Sequence, residues 1–259
     1  MTPPIFSPDG TEVEEVIWPA GSAASEVIAP DGTVVFDVAD SEVLNQADSV
    51  WWADEGSGEL VSDSVSNNDG TINNVDWRTG ESTGSTEDGE GGIYLNFSDG
   101  NVDFGSIYTG GDFFHCIFAR PTNAGGSNFS VFGDSDPDDI FGVDLNSSGG
   151  SWRAWLNGEN DDSNVNAKED VWAMACLTFS DDTNAGRLFV YEVGSDPEQI
   201  VNISVDGDGN DVNIADFLWG EDASIDNFRG DLDFGVFGSN YLSESDVEEH
   251  WNAFKENYE

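Results

Sequence analysis

From residue 49 onward, short runs of apolar and aromatic residues alternate with loops rich in Gly, Asn, Asp and Ser. β-Branched and aromatic runs at this spacing are typical of strands in an all-β sandwich. We therefore predict an all-β fold, a two-sheet antiparallel jelly-roll sandwich. Its candidate strands are residues 49–53, 93–97, 113–120, 128–132, 141–145, 151–156, 172–179, 187–192, 200–205 and 232–237.

The end of the chain has the pattern of a short amphipathic helix instead. Ser243 or Ser245 can accept hydrogen bonds at its N-terminus, as N-cap residues do. Apolar side chains then recur at helical spacing and share one face: Val247, Trp251 and Phe254. We expect this C-terminal helix to pack on the sandwich.

The first forty residues carry a repeat of 11 residues, with units that begin at Pro8, Pro19 and Pro30. Each unit opens with a Pro-x-Gly turn, and a short β-branched run follows it. Three such units bury too little to fold alone. We predict that residues 1–40 form a β-repeat arm for docking or oligomerisation, followed by one sandwich domain at 41–259. A flexible linker with accidental repetition is the alternative.

Two stretches of the predicted domain resemble motifs of a known family. Residues 51–58 contain an aromatic pair and an acidic Asp-Glu-Gly-x-Gly turn, continued at 68–71, and residues 228–233 have the pattern Phe-x-Gly-x-x-Asp before the Leu-Ser pair at 242–243. This order resembles the opening and closing motifs of the laminin G-like, concanavalin A-like jelly-roll family. The resemblance implies adhesion or glycan binding, with catalysis as a less common use.

The chain has two cysteines, Cys116 and Cys176, and both lie within predicted strands. Their placement resembles that of pentraxins, relatives of the same sandwich whose two cysteines join adjacent strands. The resemblance implies a Cys116–Cys176 disulfide, which would favour an oxidising, extracellular environment. Two buried free thiols in a reducing cytosol are the alternative.

The charge balance restricts the possible partners and the environment. Asp and Glu number 53 against 7 Lys and Arg, for a formal net charge of -46. No basic footprint exists for nucleic acid, and anionic membranes are disfavoured. Such self-repulsion is screened at molar salt, where the Debye length is about 3 Å, so we predict a protein of a halophile or of its virus. Nine Trp and 17 Phe argue against a disordered acidic tail.

Calcium is the one cofactor that the sequence makes a candidate, because Ca²⁺ prefers several hard oxygen ligands. One candidate set is Asp206, Asp208, Asn210 and Asp211. The resemblance implies a second set near the rim of the sandwich: Asn68, Asp69 and Asp99. A further acidic run contains Asp134, Asp136, Asp138 and Asp139. Solvated acidic loops are the alternative for each of these groups.

Glycan binding has its own candidate residues: Trp152, Arg153, Trp155 and Asn157. Positions 152 and 155 of a strand point to opposite faces, so we expect one of these Trp residues to lie in the core. No strand carries the paired carboxylates of the sandwich glucanases. His115 is predicted to be an ordinary strand residue and His250 a surface residue of the helix. We therefore predict no enzymatic activity.

Together these features predict a virion-surface protein of a halophilic virus, displayed as a fibre, spike or turret that attaches to the host surface. The arm would bind other virion subunits in a homo-oligomer, either a trimer or a pentamer. Residues 1–10 lack the basic and apolar regions of a secretory signal, and no apolar run is long enough for membrane insertion. A purely structural decoration of a capsid or tail is the alternative, and a secreted archaeal glycan-binding protein is the third.

Overall fold

The computed structural model describes residues 27–28, 34–36, 42–79, 92–107, 110–122, 129–134, 141–147, 150–156, 159–195, 200–204, 216–221, 226–255 and 258. The chain divides into two compact units, Met1–Asp40 and Ser41–Glu259. In the first unit, β1 (Val27–Ile28) pairs antiparallel with β2 (Val34–Phe36). The remainder of the predicted repeat lies outside the described residues, and the role of the arm stays a prediction.

Within its described residues, the second unit contains seventeen strands and two helices. Its strands are β3 (Ser49–Trp51), β4 (Leu60–Val61), β5 (Gly70–Asn73), β6 (Asp76–Thr79), β7 (Ile93–Phe97), β8 (Asn101–Asp103), β9 (Phe113–Pro121), β10 (Phe129–Asp134), β11 (Phe141–Leu145), β12 (Ser151–Leu156), β13 (Glu159–Asn166), β14 (Ala173–Ser180), β15 (Ala185–Glu192), β16 (Ile200–Ser204), β17 (Phe217–Trp219), β18 (Asp226–Asn227) and β19 (Gly230–Gly238). The helices are α1 (Glu42–Asn45) and α2 (Glu244–Phe254).

The described strands of this unit form two sheets that face each other. The nine-stranded sheet has the order β13-β12-β11-β10-β17-β8-β5-β4, with β18 beside β10. The eight-stranded sheet has the order β16-β15-β14-β9-β19-β7-β6, with β3 beside β19. All of these pairs are antiparallel except β18 with β10. The predicted all-β, two-sheet sandwich with a short C-terminal helix is confirmed.

Large aromatic side chains fill the space between the sheets. Trp51 of the eight-stranded sheet meets Trp219 of the nine-stranded sheet edge to face, with ring centroids 5.7 Å apart. Phe104 packs on both rings, at 4.5 Å and 4.8 Å. Edge-to-face pairs of this kind add to the free energy gained by removing aromatic surface from water. These rings belong to the continuous apolar core of the second unit.

The helix α2 begins with a capping box. The Ser243 hydroxyl accepts a hydrogen bond from the Asp246 N–H, and the Asp246 carboxylate accepts one from the Ser243 N–H. Its apolar face packs on the outer side of the eight-stranded sheet, where Trp251 stacks on Phe118 at 6.0 Å. His250 is buried on this face, so its prediction as a surface residue is wrong. No helix among the described residues could span a membrane.

Cys116 and Cys176 lie directly opposite each other on β9 and β14, and a disulfide joins them. Their Cα atoms are 3.9 Å apart, and 60 positions separate them in the sequence. Cross-linking a loop of this size stabilises a fold by about 4 kcal/mol in the chain-entropy model. Because Cys116 and Phe118 share one face of β9, the disulfide lies on the same side of the sheet as α2.

Candidate functional site

Trp152, Arg153 and Trp155 of the predicted glycan-binding set lie on β12, which pairs antiparallel with β11. Asp144 of β11 lies opposite Arg153 of β12, and Leu145 lies opposite Trp152. Side chains alternate between the two faces of a strand. Trp152 therefore points into the core with Leu145, whereas Arg153 and Trp155 point to the outer side of the nine-stranded sheet together with Asp144.

These three outward side chains, Asp144, Arg153 and Trp155, form one hydrogen-bonded group that we call the Asp144 cluster. Arg153 donates from Nε to Asp144 Oδ1 at 2.8 Å and from Nη2 to Oδ2, a bidentate pair. Trp155 Nε1 donates to the same Oδ2 at 2.9 Å. The Arg153 guanidinium carbon lies 4.6 Å from the centroid of the Trp155 ring. Charge pairing and cation–π contact thus fix the orientation of the indole.

The members of the cluster differ in their exposure. Asp144 is 0 % exposed and Arg153 is 9 % exposed, whereas Trp155 is half-buried. Trp155 lies opposite exposed Asn160 of β13 on one side and Gly142 of β11 on the other. The cluster therefore presents an oriented aromatic surface with an amide beside it, an arrangement that can stack on an apolar face and bond to hydroxyl groups.

The cluster continues a polar row across the sheet. Ser130 of β10 lies opposite Asp144, and its buried hydroxyl has no hydrogen-bond partner within the described residues. Neither Asp144 nor Ser130 was predicted from the sequence as a site residue. Asp144 had one visible sign, since it interrupts the otherwise apolar strand 141–145, but only the register shows that Arg153 is its partner.

The structure brings part of the predicted ligand set together. Arg153 and Trp155 share the outer side of the sheet, as described above. Trp152 is 0 % exposed and belongs to the core, which corrects its prediction as a ligand-binding residue. Asn157 lies outside the described residues.

The predicted rim calcium set is separated by the sheet register. Asn73 at the end of β5 lies opposite Asn101 of β8. Asn68 and Asp69 precede the start of β5, whereas Asp99 precedes Asn101 at the opposite end. A strand advances about 3.3 Å per residue, so roughly 13 Å of strand separates the two groups. The structure therefore does not support a single site made by these three residues.

Asp63, which was not predicted as a site residue, organises the loop that contains Asp69. Asp63 Oδ1 accepts hydrogen bonds from the N–H groups of Val50 at 3.1 Å, Val65 at 2.9 Å and Ser66 at 3.1 Å. Asp69 Oδ1 in turn accepts one from the Asp63 N–H at 2.9 Å. Burial raises the pKa of Asp63, but the hydrogen bonds, led by that from Ser66, outweigh it and leave the pKa below its usual value. The carboxylates of Asp63 and Asp69 thus hold the loop between β4 and β5 in one conformation.

Calcium binding by the other predicted acidic groups stays a prediction. Asp206, Asp208, Asn210 and Asp211 lie outside the described residues, as do Asp136, Asp138 and Asp139. Asp134 is buried at the end of β10. Across the described ranges, no group of three or more His, Cys, Asp or Glu side chains could hold a metal ion.

A second arginine–aromatic group lies on the outer side of the eight-stranded sheet. Arg120 lies 5.1 Å from the ring centroids of both Tyr94 and Trp172. Its Nε donates to Asp231 at 2.8 Å, and Asn96 donates to the same carboxylate at 2.6 Å. Both rings are buried, so this group lacks the half-buried indole that the Asp144 cluster presents.

His115 lies in the core between the sheets. Its ring meets those of Phe132 and Phe217 edge to face, at 4.5 Å and 4.7 Å. Nδ1 is 2.9 Å from the carbonyl oxygen of Val236, so Nδ1 must carry the proton and donate it. Burial lowers the pKa of His115 to about 3, although this hydrogen bond opposes the shift. His115 is therefore a core residue that stays uncharged at neutral pH.

Comparison with known proteins shows the fold but no family. No family model matches the chain, and no curated sequence matches it. Solved structures do match. Domain 4 of AbnA, a GH43 extracellular arabinanase from Geobacillus stearothermophilus in complex with arabinotriose, is 16% identical with a TM-score of 0.56, over 78% of this chain and 96% of that domain.

Two further matches belong to longer proteins. A mutant Trypanosoma rangeli sialidase displaying trans-sialidase activity is 12% identical with a TM-score of 0.60, over 88% of this chain and 35% of the sialidase. The binding domain of a botulinum neurotoxin of serotype D/C is 10% identical with a TM-score of 0.54, over 82% of this chain and 53% of that domain. At these identities the likeness concerns the β-sandwich alone.

Proposed function

We propose that residues 41–259 form a glycan-recognition domain that binds through the Asp144 cluster. The observation that carries this proposal is the half-buried Trp155, held in one orientation by Arg153 and Asp144 on the outer side of the sheet. A sugar ring has an apolar C–H face that stacks on an indole, and its hydroxyl groups need amide and hydroxyl partners. A fixed indole loses little conformational freedom on binding, which favours affinity.

The structural matches support the same type of ligand. The arabinanase domain was solved with arabinotriose, and it shares this sandwich over nearly its whole length. The motifs at residues 51–58 and 228–233 resemble the laminin G-like family, in which glycan binding is common. We propose binding without cleavage, because the Asp144 carboxylate, the acid at the centre of this group, is fully engaged by Arg153 and Trp155.

We further propose that the protein acts at the surface of a halophilic virion, where this domain attaches to a host glycan. The net charge of -46 and the disulfide support a high-salt, extracellular setting. In this proposal residues 1–40 bind other virion subunits within a trimer or pentamer, and loop carboxylates bind calcium. Structural decoration of the particle is the competing proposal.

Binding of the full-length protein to intact halophilic cells and to a glycan array in molar salt tests the proposal. Trp155→Ala should weaken binding at least about tenfold, a loss of roughly 1.4 kcal/mol. Trp155→Phe should lose less because it keeps a ring. Trp77→Ala is the matched control, since Trp77 is also half-buried but lies in β6 of the other sheet. Circular dichroism would check that each variant is folded.

Equal binding by Trp155→Ala and the unmodified protein would move the site away from the Asp144 cluster. An absence of binding to both cells and glycans, for the assembled protein with calcium present, would favour particle decoration instead.

A further inference from the structure

We infer that the Asp144 cluster selects uncharged glycans and discriminates against glycans that carry sialic or uronic acid. This inference rests on the proposed function, and it specifies the ligand class of that site. It follows from the charge state of the cluster, from its neighbours and from the charge of the whole protein.

The single cation of the cluster is already neutralised. Proteins recognise carboxylates best with a guanidinium that offers two parallel N–H groups. Arg153 directs Nε and Nη2 to Asp144, and the side chains are only 11% and 1% exposed. An acidic sugar would have to displace Asp144 and leave that carboxylate buried without its partner, which is strongly unfavourable.

The groups beside Trp155 suit hydroxyls better than carboxylates. Asn160 and Gly142 flank Trp155 across the sheet, and Ser151 lies on the same outer side of β12. Amide and hydroxyl groups both donate and accept hydrogen bonds, as sugar hydroxyls do. None of these neighbours supplies a positive charge.

The wider field also opposes a negative ligand. The chain has 53 acidic and 7 basic residues, and other cations are paired as well, namely Arg120 with Asp231 and Lys168 with Glu192. At about 1 M salt the Debye length is about 3 Å, whereas at about 0.3 M it is roughly 5–6 Å, so the field extends further at the lower salt. Discrimination against acidic glycans should therefore increase as salt is lowered.

The test compares matched oligosaccharides that differ only in a terminal sialic or uronic acid, with lactose and sialyllactose among the pairs. Full-length protein would be assayed at about 1 M and about 0.3 M salt, at which circular dichroism must show the same fold. We expect the neutral member of each bound pair to bind at least about tenfold more tightly, with a ratio that grows at the lower salt.

Tighter or equal binding of the acidic members would overturn the inference but keep the proposed function. Binding of no glycan at either salt would instead overturn the proposed function. Asp144→Asn provides a second readout, because it removes the counter-charge of Arg153 while it preserves the shape of the side chain. If the variant folds, the preference for neutral glycans should shrink severalfold, and an unchanged preference would count against the role of the pair.

Discussion

On the outer sides of the two sheets, side chains are removed from water in different ways. On the eight-stranded sheet, α2 covers Phe118 and Phe234 with Trp251 and Phe254, so this part of the surface is removed from water by apolar packing, and the Arg120–Asp231 pair lies elsewhere on the same side. On the nine-stranded sheet, the buried outward side chains include the charged pair of Asp144 and Arg153.

In our proposal, the difference separates a side organised for stability from a side organised for recognition. Apolar packing stabilises in proportion to the area buried, so a helix with one apolar face is sufficient. A buried ion pair contributes little net stability compared with an apolar pair of similar shape. Its retention beside the half-buried Trp155 is therefore better explained by the orientation that it gives to the indole.

The largest expected effect is on the helix-covered side. Trp251→Ala should lower the free energy of unfolding by about 3–5 kcal/mol, because it removes the contacts with Phe118 and Tyr191 and leaves a cavity. Urea unfolding in molar salt measures the change. Asn252→Ala, at the exposed neighbour on the same helix, should stay within about 0.5 kcal/mol of the unmodified protein. Similar losses in both variants would mean that α2 is not anchored by its apolar face.

The ion pair should behave differently from the helix contacts. Asp144→Ala should cost about 3 kcal/mol, because it leaves the Arg153 guanidinium buried without its counter-charge. The double variant Asp144→Leu/Arg153→Met should recover most of that stability and yet bind glycans poorly. A double variant as unstable as the single one would show that the pair itself stabilises the sheet, which would remove the contrast between the two sides.

A smaller effect is expected on the pH dependence of stability, through His250 on the buried face of α2. Burial lowers the pKa of His250 to about 3, from an ordinary value of 6.5. The unfolded chain therefore binds a proton that the folded chain excludes, so the stability present above pH 6.5 is lost progressively as the pH falls toward 3. Each such histidine contributes about 1.4 kcal/mol per pH unit in this window.

Urea unfolding between pH 7 and pH 5 measures this slope, in a range where most carboxylates stay charged. His250→Met should reduce the slope by the contribution of one histidine and leave that of buried His115. An unchanged slope in this variant would mean that His250 is not neutral and buried between α2 and the eight-stranded sheet.

Local pattern was sufficient for much of this fold. The apolar strands β7, β9 to β12 and β14 to β16 were predicted within a few residues, because alternation and turn residues act over short distances. The polar edge strand β13 (Glu159–Asn166) was missed, since an edge strand that buries little needs no apolar pattern. The three-residue β17 was too short to show a period.

The sequence by itself determined the sandwich, the C-terminal helix and the opposite orientations of Trp152 and Trp155, because each follows from the period of a strand or a helix. Only the tertiary structure decided that Asp144 meets Arg153, that His250 is buried and that Asp99 lies away from Asp69. Those facts depend on which strands pair and in which register, and on where α2 packs. They arise from contacts between residues distant in the chain, which no local pattern specifies.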